Sequence, residues 1–146
     1  MQKIILITGV SSGFGRAIAE RLLGDGHIVY GTSRRELDFS LEGRLIVRRL
    51  DVTDRHGVKA VVDSIVQEQG RIDVVINNAG VGIAGATELA SDEEIDLQMN
   101  TNLRGVVGMC AAVLPYMRAK RSGTIINISS TPTRSEERRV GKECRS

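Results

Sequence analysis

A short apolar run followed at once by a glycine-rich turn constrains the fold of this chain more than any other feature. Residues 4–7 are Ile-Ile-Leu-Ile, an uninterrupted run that is typical of a strand buried on both faces of a parallel sheet. Three glycines fall within residues 8–15, and apolar residues then recur every four positions from Phe14 to Leu22. The chain therefore predicts a buried strand, a tight turn and a helix over residues 13–25.

The same alternation of strand and helix patterns continues along the chain. Short β-branched runs predict four further strands, and two stretches predict longer helices. Such alternation predicts a parallel sheet with helices on both faces, and right-handed crossovers make it a doubly wound, three-layer α/β sheet of the Rossmann type. The predicted strands cover residues 28–30, 44–47, 72–76 and 124–128, and the predicted helices cover residues 54–69 and 91–120.

Polar and glycine-rich residues follow the predicted strands at the ends where a doubly wound sheet binds its ligands. Because the carboxyl ends of parallel strands share one edge of the sheet, we expect these residues to form one site. They lie at 8–15, 33–34, 51, 77–80 and 129–130.

The first turn has the chemistry of a diphosphate site. Gly9 allows a sharp exit from the strand, Gly13 lets the backbone approach a pyrophosphate, and Gly15 allows the helix to pack closely on the strand. The helix start supplies free N–H groups and a positive dipole end, and Ser11 and Ser12 can add hydroxyl donors. The alternative is an ordinary glycine loop without a ligand.

Five motifs in this order resemble the short-chain dehydrogenase/reductase family and cover residues 1–130 almost without a gap. The family's Thr-Gly-x-x-x-Gly-x-Gly fingerprint is matched by residues 8–15, with Gly13-Phe14-Gly15 in place of its usual Gly-Ile-Gly. The other matches are Asp51-Val52-Thr53-Asp54, Asn77-Asn78-Ala79-Gly80, the segment from Met99 to Gly105, and Asn127-Ile128-Ser129-Ser130. The resemblance implies cofactor contacts at Asp51, Val52, Asn78, Ala79 and Gly80, besides Gly9, Ser11, Ser12, Gly13, Phe14 and Gly15.

The resemblance also implies a reaction: hydride transfer between a nicotinamide cofactor and a small carbonyl or alcohol substrate. In the family a tyrosine moves the proton and a lysine four residues later lowers its pKa. Ser130 aligns with the serine that binds the substrate oxygen, and Asn102 aligns with the asparagine that holds a water. Without that role, Asn102 is a helix cap or kink and Ser130 a loop hydroxyl.

The end of the second strand indicates which cofactor is preferred. NAD enzymes usually place a carboxylate there, whereas this chain has Thr32-Ser33-Arg34-Arg35. Ser33 can donate a hydrogen bond and Arg34 can pair with the 2′-phosphate of NADP. NADP is therefore the expected cofactor, with NAD possible; the alternative is two solvated arginines at a helix start.

The family's Tyr-x-x-x-Lys motif does not follow Ser130. Tyr116 and Lys120 have the required spacing, but they precede the fifth strand, so we expect them to lie away from the nicotinamide site. The chain is then an incomplete Rossmann-type domain that binds the cofactor and is inactive. A genuine non-catalytic module that binds a dinucleotide is the competing interpretation.

Residues 134–146 differ in character from the rest. They match, in frame, the translation of a common sequencing-library adapter, so we expect a dinucleotide-binding domain over residues 1–133 and a non-native tail over 134–146. Removing the tail's five basic and three acidic residues leaves 15 of each in residues 1–133. A neutral body argues against a nucleic-acid partner.

The remaining expectations follow by default or from the resemblance. No apolar run approaches the roughly 18 residues of a membrane span and no secretory signal is recognisable, so a cytoplasmic location without membrane association is expected. Cys110 and Cys144 have no metal-ligand spacing, so no metal is expected. The resemblance implies a homodimer or homotetramer.

Overall fold

Strands and helices alternate along the chain in the computed structural model, which describes residues 1–37, 45–83 and 85–129. The strands are β1 (Ile4–Thr8), β2 (Ile28–Ser33), β3 (Leu45–Arg49), β4 (Val74–Asn77) and β5 (Thr124–Asn127). The helices are α1 (Gly13–Gly24), α2 (Arg55–Gln69), α3 (Asp92–Met99) and α4 (Gly105–Lys120). A 3₁₀ turn covers Thr87–Leu89, and a π-helical turn, Asn100–Arg104, joins α3 to α4.

The five strands form one parallel sheet in the order β3-β2-β1-β4-β5. The chain adds β2 and β3 on one side of β1 and then returns to add β4 and β5 on the other. The order therefore reverses between β1 and β4, which is where a doubly wound sheet opens a crevice at its carboxyl edge. The predicted fold class is confirmed.

Helices cover both faces of the sheet because alternate strand residues point in opposite directions. Leu6, Tyr30 and Val75 pack against α2 and α4, whereas Ile5 and Ile7 pack against α1. Each of these side chains is almost completely buried, and burial of one such side chain is worth about 1.5–3 kcal/mol. The two apolar layers hold the carboxyl edge of the sheet in a fixed geometry.

The predicted helix over residues 91–120 is helical throughout but has a wider turn in its middle. Ser91 and Glu94 form a capping box at the start of α3, and the left-handed residue Arg121, with φ 55°, ends α4.

Within residues 1–37, 45–83 and 85–129, no helix has the length and apolar character needed to cross a bilayer.

A half-buried carboxylate connects three elements at the amino edge of the sheet. Asp73 accepts hydrogen bonds from the Ile4 N–H at 2.8 Å, Arg71 Nε at 2.9 Å and Lys120 Nζ at 2.9 Å. Burial opposes ionisation, but these three donors outweigh it and lower the pKa of Asp73 to about 2. The carboxylate is therefore charged in the folded chain throughout the neutral range.

Candidate functional site

A cleft opens between the carboxyl ends of β1 and β4 and extends along the ends of β2 and β3. Ten of the thirteen residues predicted to bind a cofactor line this cleft. They are Gly9, Ser11, Ser12, Ser33, Arg34, Asp51, Val52, Asn78, Ala79 and Gly80. The other three, Gly13, Phe14 and Gly15, belong to the start of α1 at one end of the cleft.

The glycine turn is connected to the end of β4 by the side chains of Asn78 and Thr8. Asn78 Nδ2 donates to the backbone oxygens of Thr8 and Gly9, at 3.0 and 2.9 Å. In return, the buried Thr8 hydroxyl oxygen accepts the N–H groups of Asn78 and Ala79, at 3.0 and 2.9 Å. Asn78, predicted as a cofactor contact, therefore also holds the turn in shape.

Two of the three glycines are required by close packing around this turn. A Cβ at Gly9 would lie 2.9 Å from the Ala79 Cα, and Gly9 also has a φ of 75°. A Cβ at Gly15 would overlap the Gly9 carbonyl oxygen and the Asn78 amide. The predicted close packing of helix on strand is thus present at Gly15.

The backbone N–H groups at the start of α1 lie at one end of the cleft. Ser12 occupies the N-cap position, but its side chain makes no capping hydrogen bond, and no acidic residue lies in the first turn. Gly13 has a φ of 58°, and a Cβ there would meet nothing within 4 Å, so the backbone faces open space. Phe14 is 80% exposed. An anionic group can approach these N–H groups without steric or electrostatic opposition.

The end of β2 brings a buried hydroxyl and two guanidinium groups to the cleft. The Ser33 oxygen accepts the Arg35 N–H at 3.2 Å, which leaves the hydroxyl proton available for a ligand. Arg34 and Arg35 are exposed and line the cleft. The Thr32 carbonyl accepts the N–H groups of Gly9 and Val10, at 3.0 Å each, so the glycine turn and β2 are directly connected.

Asp51 lies opposite this basic group, at the end of β3. The Thr53 backbone N–H donates to its Oδ1 at 2.9 Å and is the main cause of a lowered pKa, which burial partly opposes. The Thr53 hydroxyl, at 2.8 Å, and the charge of Arg34 lower the pKa further. Asp51 is therefore an ionised acceptor at the rim of the cleft, beside the buried Val52.

Of the two residues predicted to act in catalysis, Asn102 lies in the π-helical turn and Ser130 lies outside the described residues. Asn102 Oδ1 accepts the Val81 N–H and its Nδ2 donates to the Val81 carbonyl, both at 2.8 Å. The amide therefore attaches the loop after β4 to the turn. The neighbouring Thr101 is buried and lines the cleft.

Neither Tyr116 nor Lys120 lines the cleft, as their position in the sequence predicts. The Tyr116 hydroxyl donates to Asp63 Oδ1 on α2 at 2.7 Å, and this bond raises the pKa of the phenol. Lys120 binds Asp73. A tyrosine that acts as a general acid or base near neutral pH needs the opposite shift.

Five residues that line the cleft are missing from the sequence-based prediction: Thr32, Arg35, Leu50, Val81 and Thr101. Each is adjacent in sequence to a predicted residue, so proximity to the motifs was the available signal. Their own side chains carry no distinctive pattern. Among the described residues there is no cluster of His, Cys, Asp and Glu that could hold a metal ion.

The parallel sheet, its crevice and the helix start beside a glycine turn define a dinucleotide-binding domain of the Rossmann type. The chain belongs to the short-chain dehydrogenase family, whose sequence model, described as short chain dehydrogenase, matches residues 3–140. The family consists of oxidoreductases that act on small molecules with a nucleotide cofactor.

Known relatives cover nearly all of this chain. It is 59% identical over 128 residues to a 3-ketodihydrosphingosine reductase from Bacteroides thetaiotaomicron. The alignment covers 88% of this chain and 47% of that protein. A 3-oxoacyl-[acyl-carrier-protein] reductase from Thermotoga maritima is 38% identical, with coverages of 88% and 55%. The solved structure of ElxO with NADP bound is 33% identical, with a TM-score of 0.82 and coverages of 89% and 56%. The chain therefore spans about half the length of the curated relatives it matches.

Proposed function

We propose that this chain is the cofactor-binding part of an NADP-dependent oxidoreductase that interconverts a ketone and an alcohol. The observation that supports this proposal best is the cleft itself, which joins the start of α1 to Ser33 and Arg34 at the end of β2. A diphosphate at the helix start and a 2′-phosphate at the arginines are both anions, and each meets donors there.

Preference for NADP over NAD follows from charge at the end of β2. No carboxylate stands at positions 32–35, so the 2′-phosphate meets no repulsion, and the Ser33 proton and the Arg34 guanidinium can both donate to it. The bound NADP in ElxO, a relative of the same fold, agrees with this assignment. The predicted cofactor is thus supported by two independent lines of argument.

The substrate we propose carries its oxygen on the third carbon of a chain. The names of two relatives, a 3-ketodihydrosphingosine reductase and a 3-oxoacyl reductase, share this feature although the rest of their substrates differ. The shared feature, a ketone on the third carbon, is the group that the proposed hydride transfer would reduce.

Different residues of the chain bind the cofactor and the substrate in such a site. The helix start and residues Ser11 and Ser12 bind the diphosphate, while Asp51 accepts a hydrogen bond at the adenine end. Ser130 binds the substrate oxygen, and Asn102 fixes the loop after β4 through its bonds to Val81. The bound cofactor supplies the hydride. Because residues 131–146 contain no Tyr-x-x-x-Lys, the 146-residue chain should bind NADPH without reducing a ketone.

Titration of the chain with NADPH and NADH, followed by the fluorescence of the reduced nicotinamide, tests the cofactor assignment. Arg34→Gln should weaken NADPH binding by roughly 10- to 100-fold, because a hydrogen bond to a charged group is worth about 1.5–3 kcal/mol. NADH binding should not change. Arg118→Gln, an equal change of charge on α4 far from the cleft, is the matched control. Equal affinity of the wild-type chain for both cofactors would contradict the proposal.

A non-catalytic binding module remains the second candidate, and the intact cleft in a chain with no Tyr-x-x-x-Lys motif after Ser130 favours it. We propose the first candidate because a translated adapter sequence accounts for residues 134–146, and we take the overlap of the family model with residues 134–140 as an extension past the native chain. Sequencing the genomic DNA beyond codon 133 discriminates between them. An in-frame Tyr-x-x-x-Lys soon after Ser130 supports the enzyme, and a reproducible stop codon supports the module.

The complete protein should be a homodimer or homotetramer. Leu103, Val107 and Leu114 expose 53%, 53% and 37% of their surface along the π-helical turn and α4, which is the helix that we expect to meet its counterpart. Sedimentation velocity on the complete protein tests this, and a monomer across the accessible concentration range would exclude it.

A further inference from the structure

We propose that an apolar groove beside the cofactor cleft binds the alkyl chain of a ketone substrate that is uncharged or cationic. This inference rests on the proposed function, because it assigns a substrate class to the same site. The groove lies between α3 and the loop that follows Val81, and it has a volume of about 450 Å³. Its apolar lining consists of Ile83, Ala86, Leu89, Ala90, Ile95 and Met99. We call it the loop groove.

The loop groove adjoins the cofactor cleft. Val81 lines the cleft and Ile83, two residues further along, lines the groove, so at most about 7 Å of chain separates them. The loop is attached to the helix at two points: Val81 to Asn102, and the Ile83 N–H to Gln98 Oε1 at 3.3 Å. Since Gln98 and Asn102 are one helical turn apart, the loop runs alongside the helix.

Each of the two polar side chains that line the loop groove accepts one hydrogen bond from the backbone. Gln98 accepts the Ile83 N–H, and the carboxylate of Glu94 accepts the Ser91 N–H in the capping box. Meanwhile Leu89 is 80% exposed and Met99 is 49% exposed, so apolar surface is exposed next to the cofactor cleft. A hydrocarbon chain gains free energy there by leaving water, whereas a polar chain would find few partners.

The charge of α3 selects the kind of molecule that carries this chain. The helix contains Asp92, Glu93, Glu94 and Asp96 and no basic residue. An anionic amphiphile would be repelled, and an uncharged or cationic one would not. No Lys or Arg is found among the described residues that line the loop groove, so a carboxylate or phosphate terminus has no partner in it.

The test measures the binding of alkyl probes to the 146-residue chain by calorimetry. Hexylamine, octylamine and decylamine are compared with the carboxylates of the same lengths. Affinity for the amines should rise by up to about fourfold per added methylene, while the carboxylates should bind more weakly at every length. Ile95→Asp should reduce decylamine binding by at least roughly tenfold, because it places a charge in the groove. Leu97→Asp is the matched control: Leu97 is on the same helix with 48% exposure against 46% for Ile95, but does not line the groove.

Three results would overturn the inference. Affinity could be independent of chain length, or Leu97→Asp could weaken binding as much as Ile95→Asp does. Sedimentation could also show that Ile95→Asp turns a dimer into a monomer, which would mean that a second copy occupies the groove. NADPH titration of the same samples separates the two proposals. Failure to bind NADPH removes the proposed function, whereas NADPH binding without a dependence on alkyl length removes this inference alone.

Discussion

Asp73→Asn is the substitution whose effect the structure determines best. The asparagine is close in size and keeps an oxygen that can accept the Ile4 N–H, but it removes the negative charge that Arg71 and Lys120 contact. Because Arg71 lies just before β4 and Lys120 lies at the end of α4, loss of the charge weakens the connection between these two elements. The effect should appear in the free energy of unfolding rather than in cofactor binding.

The size of the effect follows from the pKa of Asp73. Its folded value of about 2 lies below the ordinary 3.8, so the charged form is stabilised by folding. At about 1.36 kcal/mol per pKa unit this interval corresponds to roughly 2 kcal/mol. Asp73 is 18% exposed, but Arg71 and Lys120 are 40% and 41% exposed, so solvent screens part of the interaction. We expect a loss of about 1–2 kcal/mol near neutral pH.

The pH dependence distinguishes this explanation from a general loss of packing. A lowered folded pKa stabilises the protein above pH 3.8, and this contribution disappears as the pH falls through about 2. Urea unfolding of both proteins should show a difference that is largest near neutral pH and shrinks toward zero near pH 2. Asp25→Asn, which removes a surface pair with the 81% exposed Arg21, should cost at most a few tenths of a kcal/mol. A difference between wild type and Asp73→Asn that is the same at both pH values would refute the reasoning.

Three further substitutions test the other parts of the structure. Gly15→Ala should cost about 1–3 kcal/mol and weaken NADPH binding, because its Cβ overlaps the glycine turn, whereas Gly24→Ala on the same helix, where the Cβ meets nothing, should be neutral or stabilising in thermal unfolding. Arg121→Gly should raise the free energy of unfolding by about 0.5–1 kcal/mol, since the position has a left-handed φ of 55°; an unchanged urea midpoint would contradict this. Tyr116→Phe should leave NADPH affinity unchanged and lower the free energy of unfolding slightly, because its hydroxyl donates to Asp63 on α2, outside the cleft; a change in affinity would place it in the site.

The strands of the sheet were predictable from sequence where their residues are apolar, and their ends were not. β2 was predicted to end at residue 30 but continues to Ser33, because Thr32 and Ser33 are buried by pairing with β1 and β3. β4 begins at Val74 rather than at residue 72, because the Ile4 N–H of the neighbouring strand donates to the side chain of Asp73 instead of to a backbone carbonyl. Both differences come from tertiary contacts, which a local pattern cannot contain.

The site shows the same division between local and tertiary information. The glycine turn and Arg34 could be placed on the cleft from strand ends alone. The π-helical turn could not, because it depends on the two bonds between Asn102 and Val81, residues that are far apart in sequence. The predicted long helix was therefore right in extent and incomplete in shape. For the same reason, the two hydrogen bonds by which the Asn78 amide holds the glycine turn could be recognised only in the structure.

In the function proposed above, cofactor binding and proton transfer depend on different parts of the protein, and this separation has a physical origin. The described residues that line the cleft come from the ends of β1, β2, β3 and β4 and from the π-helical turn, and all of them precede residue 102. The sheet order places these ends together before β5 is added, because β1 and β4 are direct neighbours. Substitutions in the cleft should therefore change cofactor affinity equally in this chain and in a complete protein. A cleft variant that weakens NADPH binding only in the complete protein would show that later residues shape the cofactor site as well.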